Sequence, residues 1–163
     1  MPRVYVSIGS NIDRVRNIGL ALQELTDEYG PLLRSSVFES AAVGFDSAPF
    51  YNLVVGFDTE LPPPDVQDHL HEIEAASGRE RTDTLTARTL DLDLLLYDDL
   101  VIDDGHLKLP RTDITRYAFV LYPLAEIAPD ARHPVSGKRY ADMWAAFEDD
   151  TQVLTRVDWP PAA

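Results

Sequence analysis

The sequence predicts an α+β domain, a ferredoxin-like antiparallel sheet with helices packed on one face and further helix and strand added at the C-terminus. Three observations carry this expectation. Between Val4 and Tyr97, segments of strand and helix periodicity follow the order strand, helix, strand, strand, helix, strand, which is that of a split β-α-β unit. A chain of 163 residues, 45% of them hydrophobic, can bury one sizeable core, and residues 1–163 read as a single domain. The last segment of the unit, Arg88 to Tyr97, is an apolar run that carries two aspartates one residue apart.

Val4-Tyr5-Val6-Ser7-Ile8 alternates and is rich in strand-forming residues, so it is the first strand, ending at Gly9-Ser10-Asn11. Ser10 or Asn11 then caps a helix in which Val15, Ile18, Leu22 and Leu25 recur at helical spacing until Gly30-Pro31 stops it. Leu32 to Ser40 alternates loosely as a second strand. The small residues from Ala41 to Pro49 form a loop able to approach a ligand closely.

Phe50 to Thr59 is a third strand, with Asn52 polar in an apolar run. Pro62-Pro63-Pro64 introduces a helix through Ser77, with Val66, Leu70 and Ile73 inward and Gly78 as its stop. Arg79 to Ala87 lacks apolar periodicity and reads as a loop. After Tyr97, Asp98-Asp99 turns the chain into Leu100-Val101-Ile102 as a short hairpin partner. Tyr117 to Ile127 is apolar with Pro123 in its middle, so a helix broken or begun near Pro123 is expected. Tyr140 to Glu148 is a final amphipathic helix, and Val153 to Val157 an edge strand.

The aspartate strand points to function. On a strand, Asp91 and Asp93 share one face with Leu95 and Tyr97, while Leu90, Leu92, Leu94 and Leu96 take the other. That sets two carboxylates about 6 to 7 Å apart at Cα. Uncompensated they would repel and lose solvation, so a divalent cation or a pair of arginines is required. The net charge of −14 excludes a nonspecific nucleic-acid binder, yet Arg79, Arg81, Arg88, Arg111 and Arg116 bracket the strand and suggest a local anion site. With no cysteine, disulfides, thiolate metal sites and cysteine nucleophiles are ruled out. No segment reads as a signal peptide or bilayer span, so a cytoplasmic protein with no membrane partner is expected.

Several segments, in order, resemble the folate-pathway pyrophosphokinases that act on hydroxymethyl dihydropterin. They are Gly9-Ser10-Asn11 with Asp13-Arg14 and Asn17, Val43-Gly44, Phe50-Tyr51-Asn52, Ile73-Glu74 with Gly78-Arg79, Arg88-Thr89-Leu90-Asp91-Leu92-Asp93, and Phe119-Val120-Leu121 with Pro123-Leu124 and Glu126-Ile127-Ala128-Pro129. The resemblance extends to about Pro129. It implies transfer of pyrophosphate from ATP to the 6-hydroxymethyl group of a reduced pterin, releasing AMP, with two magnesium ions and ATP as co-substrate. The chain is then expected to be a monomer whose partners are ATP and the pterin alone.

By the resemblance, Asp91 and Asp93 hold the metal ions, with Asp93 near the attacking hydroxyl. Arg79 and Arg88 contact the phosphates and count with Asp93 as catalytic. Phe50 and Phe119 sandwich the pterin, Asn52 reads its edge, and the backbone from Ser40 to Val43 adds hydrogen bonds. His71 and Glu74 face ATP. Where the family commonly has Pro-His, this chain has Pro110-Arg111, and Arg111 stands as the replacement phosphate contact. A family arginine falls at Tyr117, beside Arg116, and the loop before Arg88 carries Leu85-Thr86-Ala87 in place of a tryptophan and proline. Two other classes share these features: a diverged relative that binds pterin or nucleotide with weak transfer or with transfer to another small alcohol, and a non-catalytic ferredoxin-like interaction module. Magnesium-dependent nucleotide binding separates the enzyme and its relatives from the module.

Overall fold

The computed structural model describes residues 1–41, 48–77 and 90–161. Its elements run β1 (Arg3–Ser10), α1 (Arg14–Tyr29), β2 (Leu33–Arg34), β3 (Val37–Ser40), β4 (Phe50–Asp58), α2 (Pro63–Ala76), β5 (Asp91–Tyr97), β6 (Ile102–Asp103), β7 (Lys108–Leu109), α3 (Asp113–Arg116), α4 (Ala118–Ile127), α5 (Tyr140–Ala145) and β8 (Thr155–Val157). The main sheet has the order β5-β1-β4-β3-β8, with β2 pairing β4, and every pairing is antiparallel. The mixed α+β class and the antiparallel sheet therefore match the expectation. No described helix is long and apolar enough to cross a membrane.

Each face of the sheet has its own core. Val4, Val6, Ile8, Val55, Leu92 and Leu94 pack against Ile18, Leu22 and Leu25 of α1 and Val66, Leu70 and Ile73 of α2. Tyr5, Val54, Leu95 and Leu96 pack against Val120, Leu121 and Leu124 of α4 and Tyr140 of α5. The second face is thus only partly free for ligands: the C-terminal helices cover one end, and the end carrying Asp91 and Asp93 stays open.

A bulge decides which leucines go where. Val6 pairs with Leu94 but Tyr5 pairs with Leu96, so Leu95 is an extra residue in β5. Beyond it the alternation inverts: Leu95 and Leu96 both join the second core, and Tyr97 packs on the first. The expected grouping of Tyr97 and Leu96 is corrected on this account, while Asp91 and Asp93, before the bulge, share a face as expected.

Other local expectations shift for identifiable reasons. The residue capping α1 is Asp13, in the left-handed region at φ 44°, with no side-chain cap; Ser10 Oγ donates to the Ile12 carbonyl instead. Val15 faces solvent at 47% exposure, and Ala21 takes a buried place. The expected second strand splits into β2 and β3 at Ser35-Ser36, where Ser35 Oγ accepts from the Val54 amide and Glu126 accepts from the Ser36 amide. Ile102 pairs with Leu109 in a separate two-stranded sheet, not with the aspartate strand. Helix α4 runs through Pro123 without a break, and α5 stops at Ala145. Pro123 lacks an N–H, so the carbonyl of Phe119 loses its helical donor four residues on, and the eight other buried or half-buried residues along α4 hold the helix together regardless.

Candidate active site

The open end of the second face is a cleft of about 530 Å³. Strand register builds its floor. Phe38, Asn52, Gly9 and Asp91 lie opposite one another across β3, β4, β1 and β5, and Ser40 pairs with Phe50 while Ser7 pairs with Asp93. Alternation then aims Ser40, Phe50, Asn52, Ser7, Asp91 and Asp93 to the same side, and all six line the cleft. The wall comes from Arg111, Asp113, Tyr117 and Phe119, and the opposite rim from His71 and Glu74 of α2.

Gly9 is needed where it is. A Cβ there would meet Asn52 Oδ1 at 3.0 Å and the Phe50 ring at 3.6 Å. The missing side chain gives the amide and the ring room beside the floor. Asn52, 5% exposed, donates through Nδ2 to Ser40 Oγ at 2.7 Å, which fixes both polar side chains on adjacent strands.

The residues after β1 hold the start of β4. Asn11 Nδ2 donates to the Ala48 carbonyl at 3.1 Å; Arg14 Nη1 donates to Pro49 O at 3.2 Å and to Glu39 Oε2 at 3.0 Å, its guanidinium 3.8 Å from the centre of the Tyr51 ring. Asn17 donates to the Ile12 carbonyl at 2.7 Å and is fully buried. The motif Gly9-Ser10-Asn11 with Arg14 and Asn17 therefore anchors the chain just before Phe50, a role that its polar composition alone does not reveal.

At the other end, Arg111 stands between carboxylates. Its amide donates to Leu95 O at 3.0 Å, Nη2 lies 3.5 Å from Asp93 Oδ1, and Nε lies 3.2 Å from Asp113 Oδ2. The Nε contact is a charge contact out of line for a hydrogen bond, so this buried N–H is unsatisfied among the described residues. Burial by itself pulls the Arg111 pKa down, but Asp93, Asp113 and Asp91 outweigh it and the net shift is upward. Arg111 is a permanent cation lining the cleft, and the exposed part of its guanidinium suits an anion there.

Asp91 and Asp93 are each half-buried. Between them the amide of Leu92, on the outer edge of β5, donates to Glu74 Oε2 at 2.9 Å. Glu74 is 6% exposed, so its first task is to hold the edge strand. His71, one turn earlier, is half-buried on the cleft rim.

Tyr117 stacks on Phe119 with ring centroids 5.0 Å apart and planes 16° apart, and the Arg116 guanidinium lies 5.7 Å from the Tyr117 ring centre. Of the expected site residues, the structure brings together Ser40, Phe50, Asn52, His71, Glu74, Asp91, Asp93, Arg111 and Phe119. Val43, Arg79 and Arg88 lie outside the described residues. Tyr117 and Asp113 were absent from the expected set. The signal for Tyr117 was present in the sequence, as an aromatic where the family has an arginine.

Residues 5–129 match the family model described as 7,8-dihydro-6-hydroxymethylpterin-pyrophosphokinase. A 2-amino-4-hydroxy-6-hydroxymethyldihydropteridine pyrophosphokinase of Pseudomonas aeruginosa is 40% identical over 148 residues, covering 88% of this chain and 91% of the relative. One of the same name from Aquifex aeolicus is 35% identical over 140 residues, covering 85% and 88%. Among solved structures, the Plasmodium falciparum HPPK-DHPS wild type with pterin and p-hydroxybenzoate superposes with a TM-score of 0.71 at 14% identity, over 88% of this chain. The chain spans 42% of that longer protein, a likeness of fold.

Proposed function

The chain belongs to the 7,8-dihydro-6-hydroxymethylpterin-pyrophosphokinase family, and from that premise we propose how its residues divide the work of the reaction. The reaction is transfer of a pyrophosphoryl group from ATP to the hydroxymethyl of 6-hydroxymethyl-7,8-dihydropterin, in folate biosynthesis. The hydroxymethyl oxygen bonds to the β-phosphorus and gives up its proton to solvent, the bond from the β-phosphorus to the oxygen of the α-phosphate breaks, and AMP leaves.

The observation that supports this division is the sharing of one sheet face by two chemically different ends. Phe50, Asn52, Ser40 and Phe119 form an aromatic and amide end that suits a flat, hydrogen-bonding heterocycle. Asp91, Asp93 and Arg111 form an ionic end that suits a polyphosphate. A pterin stacked at the first end would present its hydroxymethyl toward the second. Stacking and amide contacts set the position of the attacking oxygen, which is where such a transfer gains most.

Asp91 and Asp93 supply hard oxygen ligands on one side of the cleft, fitting magnesium, and phosphate oxygens and water would complete a shell that no described cluster of three acidic or histidine side chains provides. Two magnesium ions bound there with ATP would neutralise the charge developing on the bridging oxygens. Arg111 holds a fixed positive charge beside Asp93 in place of the family histidine, and the exposed part of its guanidinium can meet a phosphate oxygen. Arg79 and Arg88 are assigned to the phosphates by the family pattern, Val43 to the pterin loop, and His71 to the ATP side of the rim. Glu74 serves that rim by holding β5, whichever further contact it makes with nucleotide. All these residues come from one chain read as one domain, which supports a monomer, and the need for ATP supports a cytoplasmic location.

The test is AMP formation from ATP and hydroxymethyl dihydropterin with and without magnesium, beside calorimetry with a nonhydrolysable ATP analogue. Absence of magnesium-dependent nucleotide binding would sink the assignment of the ionic end. Binding without AMP release would favour a relative that has lost transfer.

A further inference from the structure

The region after Ala145 lies beyond the family match at residue 129, yet it returns to the cleft. β8 pairs with β3, Glu39 opposite Thr155 and Phe38 opposite Arg156, so residues just before it run alongside Ser40. A second cavity of about 330 Å³ lies there, and Ser40, Ala41 and Phe119 line both it and the main cleft. Phe119 is thus a partition, with Val153 and Leu154 on the cavity side.

One side chain of this segment grips the base of that partition. Gln152 Oε1 accepts from the Ala118 amide at 2.8 Å, and Gln152 Nε2 donates to the Arg116 carbonyl at 2.9 Å. A primary amide thereby brackets Tyr117 on both sides, as a neighbouring strand would. Tyr117 is the residue capping α4 and has no side-chain cap bond of its own, so Gln152 satisfies an open amide at the helix start from 34 residues away. Asp149 Oδ2 accepts the other hydrogen of Nε2 at 2.9 Å, which fixes the amide's orientation. Bonds from Thr151 and Gln152 in turn hold the Asp149 carboxyl below its usual range.

We infer that Gln152 is a positioning residue for the pterin end of the cleft, setting the backbone from which the stacked Tyr117 and Phe119 rings project. The inference rests on the assignment of Phe119 to the pterin. Rotation of the chain at Tyr117 would displace both stacked rings, while Asp91 and Asp93 sit on β5 and the Arg111 amide is bonded to Leu95 O of that same strand. The consequence is selective: loss of the clamp weakens the heterocycle and spares the nucleotide.

The experiment is calorimetry on the full chain, first with a nonhydrolysable ATP analogue and magnesium, then with hydroxymethyl pterin added to the saturated complex. Gln152→Ala is expected to raise the pterin Kd roughly five- to tenfold, the scale of losing one cap and one further hydrogen bond, with the analogue Kd unchanged. Asp149→Ala, at an exposed residue whose loss leaves both backbone bonds possible, is expected to show a smaller loss with the same selectivity. Melting temperature falls for any structural role, so the split between the two ligands is the deciding readout. An unchanged pterin Kd in Gln152→Ala, or equal weakening of both ligands, overturns the inference alone; if that variant does not fold, an unchanged pterin Kd in Asp149→Ala does so. A wild-type chain that binds the analogue but no pterin overturns the functional reading and this inference with it.

Discussion

Glu74 of α2 accepts the outward amide of Leu92 at 2.9 Å, at the midpoint between the two aspartates of β5. β5 is the edge of the sheet among the described residues, so this N–H has no described strand to pair with, and a buried carboxylate takes that place. The helix thus sets the height of both Asp91 and Asp93. Glu74→Ala leaves the amide without that partner and is expected to cost about 1 to 3 kcal/mol in urea denaturation, together with weaker binding of a magnesium-ATP analogue. Glu74→Gln keeps an acceptor oxygen and should recover most of the stability. Equal stability loss in both variants would show that charge, not the bond to Leu92, is what the site requires.

Asp93→Ala removes a carboxylate from a position that is one-third exposed and clear of both hydrophobic cores. The expected outcome is a folded protein, with a melting temperature near that of the wild type and AMP formation lowered about a hundredfold or more. A variant that unfolds would instead assign Asp93 to holding Arg111 in the fold.

The pH response of stability should carry a signature of His133. This ring is 8% exposed and its Nδ1 accepts from the amides of Val135 and Ser136, each at 3.2 Å, while burial depresses its pKa below the ordinary value. A histidine depressed in the folded state protonates first in the unfolded chain. Its contribution is therefore complete above the ordinary histidine range and is lost as pH falls through that range toward the folded pKa. His133→Asn keeps an acceptor able to bond amides two or three residues on and removes the titration. The drop in urea midpoint between pH 7.5 and 5.5 should shrink in this variant; an identical drop would mean that other groups produce it.

Much of this arrangement is legible in the sequence. The period of two in Val4 to Ile8 and the spacing of Ile18, Leu22 and Leu25 depend on local chemistry, and both elements form where that chemistry puts them. Asp91 and Asp93 were legible as a pair because only two bonds of alternation separate them. Tyr97 was misplaced because a bulge at Leu95 is set by the partner strand, and nothing within β5 announces it. Ile102 found Leu109 for the same kind of reason. Arg111 was singled out by its departure from a family pattern, but its place between Asp93 and Asp113 is tertiary. Gln152 carried no signal at all: an exposed-looking amide in a polar stretch gains its role only when β8 returns to β3.

Phe119→Ala tests the two-ended reading most directly. The ring lines the cleft, stacks on Tyr117 and is half-buried at the margin of the second core, so its removal leaves the fully buried residues of both cores in place. A stacked aromatic contributes about 0.5 to 1.5 kcal/mol beyond the area it covers, so with the lost area the pterin Kd should rise tenfold or more, since about 1.4 kcal/mol corresponds to a factor of ten. The ATP-analogue Kd should change little, because Asp91, Asp93 and Arg111 all lie outside the helix that carries this ring. A core-packing role would instead lower the melting temperature and weaken both ligands together. Tyr117 sharpens the distinction: with Phe119 gone its ring loses its stacking partner, so Tyr117→Ala in the Phe119→Ala background should add less to the pterin loss than it does alone. Additive losses would mean that the two rings contact the ligand independently and that their stack has no part in holding it.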